Sequence, residues 1–142
     1  MQSTVLFDRL DEELSLDEYT DLDASANGLQ VGTGDGSADR VAFAVDGVVS
    51  TIEAAAEWGA DVLVVHHGLS WDGIDRVTGR THERIAGLIE NEIDLYAAHL
   101  PLDGHQSVGN AAGLADLLNM GNRAPYGKLG PVTLGQQGWL PT

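Results

Sequence analysis

The feature that most constrains the fold is an uninterrupted apolar run, Val62-Leu63-Val64-Val65, which ends directly at two histidines. A strand with apolar residues on both faces is typical of a parallel sheet that helices cover on both sides. Residues 51–58 precede the run with helical spacing, and residues 40–45 precede those with a strand pattern. Strand, helix and strand in this order indicate a βαβ unit.

A second unit of the same kind follows along the chain. Residues 81–91 have helical spacing and residues 93–98 form the next predicted strand, while residues 28–31 are a candidate for a short additional strand. A further helix is predicted over residues 110–118, with Asn110 as its capping residue. The sequence therefore predicts an α/β fold with a mixed or mostly parallel sheet and flanking helices.

Polar side chains follow both central strands at the point where each strand ends. His66 and His67 follow the first strand, and His99 and Asp103 follow the second. Because ligands bind outside the carboxyl ends of the strands in open α/β sheets, we expect these four side chains to share one cleft. Imidazole suits zinc, iron, nickel and cobalt, whereas a carboxylate also suits manganese. The sequence predicts a metal site and leaves the ion open.

The adjacent histidines bear on the number of ions. Neighbouring side chains of an extended segment point to opposite sides, so His66 and His67 reach one ion only if the backbone turns sharply. Otherwise a two-metal centre is more natural, in which water held between the ions becomes a hydroxide nucleophile. We expect His99 to support the site or donate protons, with direct ligation as the alternative. His105 is expected to be solvated, and His82 is given no role.

The charge balance restricts the partners. The chain has 22 acidic and 7 basic residues and a net charge of -15, which makes nucleic acids and anionic membranes poor partners. Such a surface suits concentrated salt, so we predict a halophilic source, with an ordinary acidic cytosolic protein as the alternative. The absence of cysteine excludes disulfides, thiolate nucleophiles and cysteine-based zinc sites. Any metal must therefore bind nitrogen and oxygen.

Two segments and one cellular location are predicted. Residues 1–124 are expected to form the metal-binding α/β domain, and residues 125–142 the start of a truncated second segment, because no closing helix is predicted there. No apolar stretch has the roughly 20 residues of a membrane span, and the N-terminus lacks a basic stretch followed by an apolar core. We therefore predict a cytoplasmic protein.

Several segments of the chain resemble one known family. They are Asn27-Gly28-Leu29-Gln30-Val31-Gly32, Gly59-Ala60-Asp61-Val62-Leu63-Val64-Val65-His66-His67-Gly68-Leu69, Tyr96-Ala97-Ala98-His99-Leu100-Pro101-Leu102-Asp103 and Gly109-Asn110. In order and spacing they resemble the GTP cyclohydrolase I type 2 family, also called the NIF-3-like (NGG-1-interacting factor 3-like) dinuclear metal proteins. The resemblance covers most of the first 120 residues.

The resemblance implies an α/β fold, a pair of metal ions in each subunit and a ring-shaped homo-oligomer, often a hexamer built from dimers. It implies His66, His67 and Asp103 as metal ligands, and it matches His99 to a histidine that lines the site. Family members run well beyond this length and add a histidine and a bridging glutamate from a His-x-x-x-Glu segment. This chain has no histidine after His105 and no glutamate after Glu92. We therefore expect an N-terminal portion, which is truncated or completed by another polypeptide.

Two functions from different classes follow. The first is a metal-dependent hydrolase that uses metal-bound water on a purine nucleotide such as GTP, with His99 carrying protons. The second is a non-catalytic protein that stores metal, inserts it or regulates a partner. The missing ligands and the absence of a recognisable nucleotide-binding motif support the second function. The small number of Arg and Lys side chains argues against a triphosphate substrate, because triphosphates are normally held by such side chains.

Overall fold

A computed structural model describes residues 1–141. The central sheet has four strands, which are β1 (Gly28–Val31), β2 (Val41–Asp46), β3 (Val62–His67) and β4 (Asp94–Ala97). Their order in the sheet is β1-β4-β3-β2. β2, β3 and β4 are parallel, and β1 runs antiparallel to β4. The predicted mixed, mostly parallel sheet is confirmed, and β2 forms one of its edges.

Five α-helices flank the sheet or follow it. They are α1 (Ser3–Leu14), α2 (Val49–Trp58), α3 (Gly79–Glu90), α4 (Leu100–Gly104) and α5 (Asn110–Leu117), and a 3₁₀ helix covers Leu16–Tyr19. α2 connects β2 to β3, and α3 connects β3 to β4, so both predicted βαβ units are present. α2 stops where Gly59 adopts a left-handed conformation with φ of 74°, which a glycine accepts without steric cost.

The core lies on both faces of the sheet. On one face, Leu63 and Val65 pack with Ile52 of α2 and Leu88 of α3. On the other face, Val62 and Tyr96 pack against α1, where the ring of Phe7 stacks on Tyr96 with a centroid distance of 5.5 Å. Successive residues of β3 thus alternate between two apolar layers. This alternation explains why the run before the histidines contains no polar residue.

A two-stranded hairpin follows the helices. β5 (Gly121–Leu129) pairs with β6 (Val132–Trp139) in antiparallel register, and every residue of β5 is exposed. Gln136 fixes the hairpin to the domain, because its Nε2 donates a hydrogen bond to the carbonyl of Gln106 at 2.6 Å. The sequence predicted only a short apolar stretch here. The boundary predicted after residue 124 lies inside β5, and the division into two segments stays a prediction.

The helices are short. α1 and α3 each contain 12 residues, whereas a membrane-spanning helix needs about 20. Within residues 1–141, no helix has both the length and the apolar character needed to cross a membrane.

Candidate metal centre

Three histidines meet at the carboxyl end of the sheet. His66 and His67 are the last two residues of β3, and His99 lies two residues after the end of β4. The ring centroid of His66 lies 4.5 Å from that of His67 and 4.9 Å from that of His99. One ligand nitrogen from each ring lies within 4.8 Å of the others. These three residues are called the histidine cluster below. Their proximity confirms the prediction that the ends of neighbouring parallel strands bring them together.

The adjacent pair converges although both residues belong to a strand. His67 is the last residue of β3, and the chain leaves the sheet at Gly68. The side chain of His66 is 13% exposed and that of His67 is 41% exposed, so one ring lies deeper than the other. Both rings nevertheless face His99. The two imidazoles are therefore available to one ion or to two neighbouring ions.

Asp103 lies at the border of the histidine cluster. Its Oδ1 is 3.6 Å from His66 Nε2, and its side chain is 25% exposed. Asn110 Nδ2 donates a hydrogen bond to the same oxygen at 2.6 Å. The prediction that Asn110 caps α5 is wrong, because Gly109 occupies the cap position. Asn110 instead fixes the carboxylate of Asp103 through this hydrogen bond.

Each imidazole is oriented by a hydrogen bond from Nδ1. His66 Nδ1 bonds the carbonyl oxygen of Ala98 at 3.0 Å. His67 Nδ1 bonds Asp46 Oδ1 at 2.6 Å, and His99 Nδ1 bonds Asp23 Oδ1 at 2.9 Å. Carbonyl and carboxylate oxygens only accept, so Nδ1 carries the proton in all three rings. The lone pair then lies on Nε2, which is the tautomer that a metal-binding histidine with a supporting oxygen adopts.

Asp23 is the more buried of the two supporting carboxylates, with a side chain that is 2% exposed. Besides His99, it accepts hydrogen bonds from the backbone N–H groups of Ser25 and Leu100 and from Asn27 Nδ2. Burial alone would raise the pKa of this carboxyl, but the hydrogen bonds outweigh it and lower the pKa below its ordinary value. Asp23 is therefore a carboxylate at neutral pH and keeps His99 Nδ1 protonated.

Sequence reasoning missed both supporting carboxylates. Asp46 ends β2 in register with His67, so the argument that selected the other strand ends would also have selected it. Asp23 lies in an irregular connection before β1, where no periodicity marks it. Asp46 could therefore have been found from the sequence, whereas Asp23 could not.

Gln30 fixes the chain that leaves the histidines. Its Oε1 accepts the backbone N–H of Leu69 at 2.6 Å and of Ser70 at 3.2 Å. A Cβ atom at Gly68 would overlap the amide group of Gln30, so any larger residue there would have to displace Gln30. The backbone N–H of His99 donates to Asn27 Oδ1 at 2.7 Å. One short segment before and within β1 thus supports both histidine-bearing connections.

Trp71 forms a wall beside the histidine cluster. Its ring meets that of His99 edge-on with a centroid distance of 4.8 Å and lies 6.0 Å from that of His67. The indole Nε1 donates to the carbonyl of Gly68 at 3.3 Å, and the residue is 40% exposed. Trp71 therefore presents an apolar surface to solvent next to the imidazole nitrogens of the histidine cluster.

The remaining histidines lie outside the cluster. The expectation that His105 is solvated is wrong, because its side chain is 17% exposed. Its Nδ1 accepts the backbone N–H groups of Ser107 and Val108, and its Nε2 lies 3.5 Å from Glu13 Oε1. His105 thus stabilises a turn. His82 lies on α3 and is not part of the cluster.

The sequence profile of the Duf34/NIF3 (NGG1p interacting factor 3) family matches residues 1–141. The chain belongs to this family. Membership confirms the resemblance carried by the strand-end histidines and by the Asn27–Gly32 segment. Curated relatives in the Duf34/NIF3 family carry the name GTP cyclohydrolase 1 type 2 homolog. One from Halobacterium salinarum is 54% identical over 133 residues, and one from Pyrococcus abyssi is 43% identical over 129 residues.

Solved Duf34/NIF3 structures have the same fold. TTHA1606 from Thermus thermophilus superposes with a TM-score of 0.84 at 36% identity, and reduced HcgD from Methanocaldococcus jannaschii with a TM-score of 0.77 at 32% identity. The matches cover 93% and 88% of this chain but only 52% and 50% of those chains. The two curated relatives are likewise covered over 52% and 50% of their lengths. The chain therefore spans about half the length of its relatives, which agrees with a partial family fold.

Proposed function

We propose that the chain binds a divalent transition metal through His66, His67 and Asp103, with His99 beside them in the histidine cluster. The observation that carries the proposal is the shared orientation of His66, His67 and His99, in which each Nδ1 is bound to a fixed oxygen and each Nε2 keeps its lone pair. Such supporting bonds orient metal-binding imidazoles and increase their basicity. Three nitrogens and one carboxylate suit zinc, iron, nickel or cobalt, and the carboxylate also admits manganese.

The spacing of the donor atoms is compatible with one or two ions. Metal–nitrogen bonds of about 2.0–2.1 Å keep two ligands of one ion within roughly 4.2 Å of each other. The ligand nitrogens of the cluster lie within 4.8 Å of one another, so side-chain movements below about 1 Å would bring them onto one ion. A second ion would need more donor atoms. In the family that the sequence resembles, a further histidine and a glutamate supply these donor atoms.

The role of each residue within the site is also a proposal. From the family resemblance, His66, His67 and Asp103 are the ligands, and His99 is the proton carrier. The bond from His99 Nδ1 to the Asp23 carboxylate supports proton transfer at Nε2 and also supports ligation. Alanine at a ligand position should weaken zinc affinity more than the roughly 10- to 100-fold loss caused by removing a supporting partner. His99→Ala should lower turnover more than affinity if His99 carries protons.

The reaction we propose is hydrolysis of a small molecule, with a purine nucleotide such as GTP as the first substrate to test. A bound ion would lower the pKa of a water molecule so that it attacks near neutral pH. His99 would accept or deliver the proton, and Trp71 would shield one side of the site from water. The name of the curated relatives, GTP cyclohydrolase 1 type 2 homolog, supports the choice of GTP.

The purified chain, loaded separately with each metal, should be incubated with GTP. Release of formate or formation of a changed nucleotide is expected, and both should be lost in His66→Ala and His99→Ala. His82→Ala is the matched control, since His82 lies on α3 outside the cluster. Absence of turnover with every metal would remove the hydrolase proposal.

The second candidate function is a non-catalytic metal-binding assembly, which stores metal, inserts it or regulates a partner. The charge of the chain favours it, since 7 basic residues against 22 acidic ones offer little to a triphosphate. We propose a cytoplasmic homo-oligomer, a hexamer by the family resemblance. Metal content should then set the oligomeric state without any hydrolytic rate. Metal analysis across a sizing column, repeated after chelation, separates this function from the first.

A further inference from the structure

An apolar groove runs along the face of the sheet that carries α1. It lies between α1 and the edge strand β2 and has a volume of about 470 Å³. Its lining includes Leu10, Leu14, Phe43, Val45, Val64 and Val108. His66 also lines the groove, so the groove borders the histidine cluster. The metal-binding proposal uses none of the six apolar side chains.

The groove exists because only one face of β2 is covered. Ala42 and Ala44 pack into the layer formed with α2 and α3. Phe43 and Val45 point to the opposite face, where they are 73% and 62% exposed. Strands of a parallel sheet are normally covered on both faces. On the α1 side only Val41, at the start of β2, packs into the apolar layer. A covering element is therefore missing above Phe43 and Val45.

The total surface of the chain leads to the same conclusion. A compact monomer of 15.0 kDa is expected to expose about 7,000 Å², whereas this chain exposes 8561 Å². The projecting hairpin contributes part of the excess of roughly 1,500 Å². Specific interfaces bury about 800 Å² on each partner, so the excess is large enough for one interface in addition to the hairpin.

We propose that the apolar groove is the docking surface for an amphipathic helix that belongs to the half of the full-length relatives which this chain does not match. That half is long enough to supply it, because the matched region makes up 52% of the Halobacterium salinarum relative. The six residues of β2 span about 20 Å, which a helix of about 13 residues covers. The groove opens on a sheet face rather than on the strand edge, and a helix fits such a face better than an added strand.

The chemistry of the helix follows from the groove. Its buried face should be aliphatic or aromatic, because it must cover Phe43 and Val45. Glu13 lines the same groove, and its side chain is 72% exposed. A Lys or Arg on the flank of the helix would therefore find an opposite charge at the border of the groove.

The test is a split-protein experiment. The unmatched half of the Halobacterium salinarum relative is produced with a tag, in the same cells as this chain, and the complex is isolated through the tag and by size. A one-to-one complex is expected, and it should persist in chelator because the contact is apolar. Phe43→Asp should weaken it about tenfold or more, whereas Phe43→Leu should retain it.

The matched control is Ile89→Asp. Ile89 is 62% exposed on α3, which packs on the other side of the sheet, so the same substitution there should leave the complex intact. Equal thermal unfolding of the Asp variants in the absence of the partner would show that folding is unaffected.

Three outcomes would overturn the proposal. The first is that no complex forms. The second is that the Phe43→Asp variant binds the partner with the same affinity as the Ile89→Asp variant. The third is self-association of the chain that Phe43→Asp abolishes, because the groove would then bind a second copy.

Discussion

Asp23→Asn should weaken both the fold and the metal site, although the side chain keeps its shape. The carboxylate is buried and accepts four hydrogen bonds, two on each oxygen. An amide replaces one accepting oxygen with a donor, so two of these bonds become donor–donor contacts. Hydrogen bonds to a buried charged group contribute about 1.5–3 kcal/mol each, and the expected loss in the free energy of unfolding is about 3–5 kcal/mol.

The same substitution removes the negative charge that keeps the proton on His99 Nδ1. Loss of a supporting partner of a metal-binding histidine typically lowers metal affinity 10- to 100-fold, so zinc affinity should fall by about this factor. Urea denaturation of the metal-free protein measures the first effect, and competition with a chelating dye measures the second. The control is Asp21→Asn, two residues away and exposed. Unfolding free energies that agree within about 0.5 kcal/mol for the two variants would refute the reasoning.

Three further predictions concern the rest of the molecule. Burial, with a hydrogen bond to Asp11, raises the pKa of Tyr96 far above its ordinary value. The unfolded chain therefore loses this proton above about pH 10 while the folded chain keeps it, so stability should fall by about 1.4 kcal/mol per pH unit there. Alkaline denaturation of Tyr96→Phe should lack this component, and equal slopes would contradict it. Gly68→Ala should displace Gln30 and cost about 1–3 kcal/mol in thermal unfolding, whereas Gly113→Ala, in open space on α5, should be neutral or stabilising. The thermal midpoint should rise between about 0.1 and 1 M KCl because salt screens the net charge of -15, and a flat dependence would contradict this.

The sheet and the positions of the histidines could be predicted because they depend on patterns along the chain. The apolar run of β3 requires two covered faces, and the strand ends place His66, His67 and His99 together by topology. The supporting groups follow no such pattern. Asp23 reaches His99 across 76 positions of sequence through an irregular connection, and only the folded chain brings them together.

The hairpin could not be predicted for a different reason. All residues of β5 are exposed, so the strand has no buried face to produce an alternating pattern. Pro125 and several glycines argue further against a strand, although a two-stranded hairpin tolerates them because one side of each strand is unpaired. The exposure of one side of β2 could not be predicted either, since Phe43 and Val45 look like core residues in the sequence.

We propose above all that the histidine cluster at the end of the sheet binds a metal, with at least His66 and His67 as ligands. X-ray absorption spectroscopy of the zinc-loaded chain tests it most directly, with His82→Ala as the control sample. The account predicts scattering from two or three imidazole rings with zinc–nitrogen distances of about 2.0–2.1 Å, reduced in His67→Ala and unchanged in the control. A zinc ion surrounded only by oxygen, or an identical spectrum in His67→Ala, would contradict it.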